Sequence, residues 1–260
     1  MKALRPDRRR RLLAGLAAKL VLALAALPLP LRASRKRPLR AVALAIIPYG
    51  QVGADGRKSG LFVEAFELLE RVSGRRIEII VVPYARAIAM LRSGEADLMI
   101  ATSNSVIAAT AEPMGMLWAA EVIAIGRAGL KLEGQQDLRG RTVGLLRGSD
   151  YGAVFLDDGE YHRHEITDQV QGVRMLLEGR LDATLGTRLA VFHAMRLLGV
   201  PRARLGPSLA VQEREIHLHL GRHSADDELA TALRQAVHEL RSSGQADALL
   251  AKYLAGLPSG

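Results

Sequence analysis

The sequence contains no cysteine. That absence removes a disulfide framework, a thiolate metal site and a cysteine nucleophile together. Catalytic signatures are equally scarce. There is no nucleophile elbow, no phosphate loop and no dinucleotide glycine fingerprint. Gly144 and Gly148-Ser149 come near a phosphate loop but lack its lysine. A basic surface for nucleic acid is missing as well, although the net charge of +9 first suggests one. Residues 1–40 hold 12 of the 36 lysines and arginines and only Asp7 of the 27 acids, which leaves the remaining 220 residues at −2. A body so near neutrality cannot neutralise a row of phosphates, so no nucleic-acid partner is expected.

The displaced charge belongs to a leader. Arg8–Arg11 form a positive segment, Leu12–Leu27 an apolar stretch of Leu and Ala, and Pro28 and Pro30 interrupt it. Ala33 then offers a small residue before a cut, so residues 1–33 read as an export signal. Lys19 inside the apolar run and the two prolines argue against the alternative, a retained membrane anchor. Without a cysteine the mature chain cannot be lipid-tethered at its N-terminus. A free-diffusing protein in a Gram-negative periplasm is the expected location.

Hydrophobic residues make up 49% and charged residues 24% of the chain, ordinary values for a globular protein. Leu39–Ile47 alternates into a continuous apolar run ended by Pro48-Tyr49-Gly50, and Asp55-Gly56 marks a turn. Leu61, Phe62, Ala65, Phe66, Leu68 and Leu69 recur at helical spacing up to Gly74. A β-branched strand follows at Ile77–Val82, then a helix over Tyr84–Arg92 stopped by Ser93-Gly94, then a strand at Asp97–Ala101. The rhythm returns with a strand at Thr142–Leu146, a helix start at Gly148-Ser149, a helix over Gln169–Leu177 and a strand at Asp182–Gly186. Asp226–Leu240, with Ser224 as its expected N-cap, and Gln245–Leu254 read as amphipathic helices. Two such units predict an α/β protein of two lobes rather than one long sheet, each lobe a parallel-rich sheet flanked by helices.

Two segments carry a family likeness. One runs from Pro83-Tyr84-Ala85-Arg86-Ala87-Ile88 through Ser93-Gly94-Glu95-Ala96-Asp97-Leu98. The other joins Asp137-Leu138-Arg139-Gly140-Arg141-Thr142-Val143-Gly144, Gly148-Ser149 and Leu177-Glu178-Gly179-Arg180-Leu181-Asp182-Ala183. With the tail Gly244…Lys252-Tyr253-Leu254 they resemble the family 3 extracellular solute-binding proteins, the polar-amino-acid-type receptors of ABC importers. The resemblance implies a type II periplasmic-binding-protein-like fold with two hinge crossings, lobe 1 at 39–120 plus 215–260 and lobe 2 at 121–214. It also implies a monomer that captures a small polar solute and delivers it to a membrane-embedded permease, without a cofactor and without catalysis.

In open α/β sheets ligands sit beyond the carboxyl ends of the strands. Those ends supply Tyr49, Tyr84, Thr102, Ser103, Asn104, Ser149, Asp150 and Thr187 as candidate ligand-binding residues, and Arg86 in the first turn of its helix is added as an anion-seeking candidate. The resemblance places a stacking aromatic at Tyr84 and small polar residues at Thr102 and Asn104. It also marks two departures. The family's carboxylate-binding arginine is absent from Val106-Ile107-Ala108-Ala109-Thr110, and Thr187 stands where an acid would hold the ligand ammonium. Burying an unpaired carboxylate is prohibitive, so ordinary α-amino acids are not expected in the family's usual mode. Asp150 points instead to a cationic or hydroxyl-rich solute, or to a general acid–base in a dehydratase-like periplasmic enzyme. A degenerate lobe pair that recognises a protein or serves a sensor is the other alternative. Glu215, His217 and His219 alternate on one strand face, with His162 and His164 in a similar pattern. Both sets read as polar faces turned to water rather than as metal ligands.

Overall fold

The computed structural model describes residues 37–149 and 160–257. The leader and Asp150 lie outside the described residues. The chain opens with β1 (Leu39–Leu44), a small hairpin of β2 (Gln51–Val52) and β3 (Lys58–Ser59), and α1 (Leu61–Ser73). Then come β4 (Ile77–Val82), α2 (Tyr84–Ser93), β5 (Leu98–Thr102) and the single turn α3 (Ser105–Ala108). A strand of 17 residues, β6 (Ala111–Arg127), leads into β7 (Thr142–Leu146), β8 (His162–Ile166), α4 (Gln169–Leu177), β9 (Ala183–Thr187) and α5 (Arg188–Leu197). A second 17-residue strand, β10 (Leu205–Gly221), returns the chain to α6 (Asp227–Ser242) and α7 (Gln245–Leu254).

One expectation needs correcting. The main strands form one eight-stranded ladder, in the order β4-β1-β5-β10-β6-β9-β7-β8, not two separate sheets. The long strands are the reason. β10 pairs with β5 over Ile216–Leu220, whereas β6 pairs with β9 over Val122–Gly126. β6 and β10 pair with each other from Leu205↔Arg127 to Gly221↔Ala111 with several register shifts, and between those stretches they form a two-stranded ribbon. Two lobes are nevertheless distinct in how they bury apolar surface. β1, β4 and β5 are parallel and sit in one large core with α1, α2 and α6. β7, β8 and β9 are parallel too; β7 and β9 are buried, while β8 at the edge is exposed up to Ile166. Ile123 and Ile125 face the cluster holding Val191 and Phe192, while Ala124 between them faces Leu138 and Val143. That alternation is the two-residue period of a strand buried on both sides.

Local stops fall where the sequence puts them. Gly74 and Gly94 end α1 and α2 in the left-handed region. The expected cap of α6 differs: Asp226 accepts from Leu229 N at 2.8 Å, and Ser224 instead donates to Asp97 Oδ1. Asp226 wins because a carboxylate at an N-cap also meets the positive end of the helix dipole. No described helix is long and apolar enough to cross a membrane.

Candidate functional site

Between the lobes lies a cleft lined by residues from both and by the ribbon. On the first wall Tyr49 is 5% exposed and stacks on Phe62, with centroids 4.5 Å apart and planes 22° from parallel. Its backbone is held by a close approach at Gly60, whose φ is 126°. A Cβ there would stand 2.6 Å from Tyr49 O. Asn104 caps α3 by accepting from Ile107 N at 2.9 Å and donates through Nδ2 to Tyr84 Oη at 2.8 Å. One amide thereby orients a ring and starts a helical turn.

The second wall is built from short side chains and backbone. Thr187 caps α5, accepting from Ala190 N at 3.3 Å, and its hydroxyl meets Tyr49 Oη at 2.5 Å. This hydrogen bond crosses from one lobe to the other. Ser149 Oγ donates to Leu146 O at 2.6 Å, closing the turn at the mouth of the cleft. The lobes also touch elsewhere: Leu146, Leu189 and Ala190 join the first lobe's apolar cluster.

Of the residues expected from the sequence, Tyr49, Tyr84, Thr102, Asn104, Ser149 and Thr187 converge on the cleft. Two do not. Ser103 turns the other way, its Oγ 3.2 Å from His217 Nδ1, because successive side chains at a strand end alternate in direction. Arg86 forms a surface ion pair with Glu95 at 2.9 Å, their side chains 58% and 50% exposed. The short reach from Arg86 to Glu95 holds it outside the cleft.

The cleft also contains residues that the strand-end rule does not select. Phe62, Val122, Ala190 and Ile216 give it apolar surface. Arg214 enters from β10, donating through Nη2 to Ser103 O, and carries the only formal charge among the described lining residues. Strand alternation held the signal for it: Arg214 and Ile216 share the face opposite Glu215, His217 and His219. Gln169 is the first residue of α4 and is 4% exposed.

The opposite face of β10 departs from the expectation of a water-facing row. His217 lies 3.3 Å from Glu215 Oε2, but His219 is 2% exposed and donates from Nε2 to Ala101 O at 3.3 Å. Burial pushes His219 down to about 4 and the nearby His217 adds to this, while the Ala101 carbonyl opposes them. No cluster of three or more potential metal ligands occurs among the described residues.

Comparison with known proteins follows the geometry. A family model described as bacterial extracellular solute-binding proteins, family 3, matches residues 41–256. No curated protein matches the sequence. Among solved structures, the arginine-, lysine-, histidine-binding protein ArtJ from Geobacillus stearothermophilus superposes with a TM-score of 0.70 at 16% identity, covering 86% of this chain and 97% of that one. A histidine kinase sensor domain with similarity to periplasmic binding proteins gives 0.70 at 20% identity, covering 86% and 99%. An ancestral amino acid-binding protein, a precursor of cyclohexadienyl dehydratase, gives 0.69 at 15% identity, covering 83% and 94%. These likenesses establish a common two-lobed fold.

Proposed function

Because the chain belongs to the bacterial extracellular solute-binding proteins of family 3, we propose that it captures a small polar solute in the interlobe cleft, outside the cytoplasm, and delivers it to an importer permease. The lobes would be 39–120 plus 215–260 and 121–214, with the leader removed near Ala33. The observation that carries the reading is the Tyr49–Thr187 hydrogen bond of 2.5 Å. It joins the two walls of a cavity into which Tyr84, Thr102, Asn104 and Ser149 also project. Closing such a cleft around a ligand is a population shift that strengthens every hydrogen bond inside by excluding water.

The solute is not an ordinary α-amino acid held in the usual way. Val106–Thr110 supplies no arginine, and Thr187 is occupied as a helix cap and as the partner of Tyr49. Arg214 approaches from another direction and already donates to Ser103 O. A thermal-shift screen across amino acids, amines, sugars and organic acids tests the reading. A solute at a hundred times its dissociation constant stabilises the fold by about 2.7 kcal/mol. A receptor returns that compound unchanged, whereas an enzyme consumes it. Silence across the whole panel would favour recognition of a protein. Tight binding of a common amino acid that is abolished by Thr187→Ala would overturn the account of the pocket.

A further inference from the structure

Gln169 is a buried polar side chain of the cleft whose amide is held at one end only. Asp168 caps α4, accepting from Gln171 N at 2.8 Å, and so fixes where Gln169 leaves the backbone. Its Nε2 donates to Leu185 O at 2.9 Å. A backbone carbonyl can only accept, so this contact decides which end of the amide is nitrogen and which is oxygen. Gly186 supplies the space for the amide. A Cβ at that position would stand 2.6 Å from Nε2 and 3.0 Å from Oε1. The outcome is an oriented, buried carbonyl in the cleft wall, and Oε1 has no donor among the described residues. Buried acceptors in folded chains nearly always find a donor, and one left over at a binding surface calls for a ligand or a water.

We propose that Gln169 Oε1 reads a neutral hydrogen-bond donor on the captured solute, a hydroxyl or a carboxamide N–H. The proposal rests on the cleft being a solute site. Neutrality follows from the surroundings. The amide oxygen carries no full charge, the described lining residues include no carboxylate, and Arg214 is cationic. An ammonium pressed against Gln169 would lose its hydration with no counter-charge from the described lining residues in return, whereas a hydroxyl or an amide loses far less. Gln169 therefore selects by donor capacity, in place of the acid that Thr187 replaces.

The test uses the labelled full chain and two small probes of one shape family, acetamide and N,N-dimethylacetamide, the second lacking any donor. NMR follows the Gln169 side-chain amide and the rings of Tyr49 and Tyr84. Acetamide is expected to shift the Gln169 amide saturably, and dimethylacetamide to act about tenfold more weakly or less. In Gln169→Met, which keeps the length without the amide, the tyrosine rings should respond to both probes alike. If both probes move Gln169 equally, the proposal falls. It falls too if acetamide moves the tyrosine rings and leaves Gln169 still, because the cleft would then take a solute that Gln169 ignores and water would serve its carbonyl. Silence of all three residues overturns this proposal and leaves the receptor reading to the thermal-shift panel.

Discussion

The two lobes carry the same device at different depths. In the first, Asp97 of the Gly94-Glu95-Ala96-Asp97-Leu98 segment accepts from Arg40 N at 2.8 Å and from Ser224 Oγ, its side chain wholly buried. In the second, Asp182 of Gly179-Arg180-Leu181-Asp182-Ala183 accepts from Thr142 N at 2.9 Å and from Arg127 Nε at 3.0 Å, with its side chain 22% exposed. Each carboxylate precedes a strand and ties the start of the neighbouring parallel strand. Partial burial works to raise Asp182, yet the Thr142 N–H and the Arg127 guanidinium outweigh it and hold the carboxyl below the usual range. The comparison teaches that the family motif is first a structural knot. The sheet-positioning acid, not a ligand contact, accounts for its recurrence within this chain.

Breaking the two knots separates them by depth. Asp97→Ala strands a buried backbone N–H and a serine hydroxyl, and should cost about 3–5 kcal/mol in denaturant unfolding. If it costs less than Asp182→Ala, the difference in depth has no energetic meaning. Acid sharpens the contrast from another side. His219 lies in the first lobe's sheet, and its folded-state value of about 4 is below its unfolded value of 6.5. The unfolded chain therefore binds the extra proton first. Stability is full above pH 6.5, falls as the pH drops towards 4 and levels off below, losing on the order of 3 kcal/mol. His219→Leu should flatten that limb of the pH–stability profile. Asp182→Ala, at a half-open site where water replaces part of what is lost, should cost about 1–2 kcal/mol. Tyr49→Phe removes one hydrogen bond between the lobes and keeps the stack on Phe62. It should cost about 1 kcal/mol and weaken solute binding to a similar degree, read by calorimetry. Arg86→Ala, at an exposed pair, should change stability by less than about 0.5 kcal/mol and leave binding unaltered.

What the sequence disclosed follows from the range of the interactions involved. Ile77–Val82 is a β-branched run bounded by Pro83, and Gln245–Leu254 lies between glycines, so local rules suffice and both form over those residues. β6 and β10 are different. Pro113 and Gly115 interrupt one, Gly206 and Pro207 the other, and their stability comes from pairing with each other about a hundred residues apart. Nothing in either segment alone announces a strand of that length. α5 is hidden for a related reason, since Thr187 reads equally as a cap and as a cleft hydroxyl and the structure uses it as both. For the site, strand ends selected Tyr49, Tyr84, Thr102 and Asn104, and all four line the cleft. Gln169 escaped because its direction depends on Gly186, on the neighbouring strand. The metal-like pattern of Glu215, His217 and His219 drew attention to one face of β10 while Arg214 occupied the other.

The shared ribbon has a mechanical corollary. A strand pair resists being pulled apart but yields readily to twist, and here that torsion spring is the only strand-to-strand link between the described halves of the ladder. Its regular bonding pattern is broken at register slips that include Ala210/Gln212 and Ile216/His217, where local twist increases. Substitutions there could retune how far the halves swing, and so how long a passenger stays, without touching any atom that meets it.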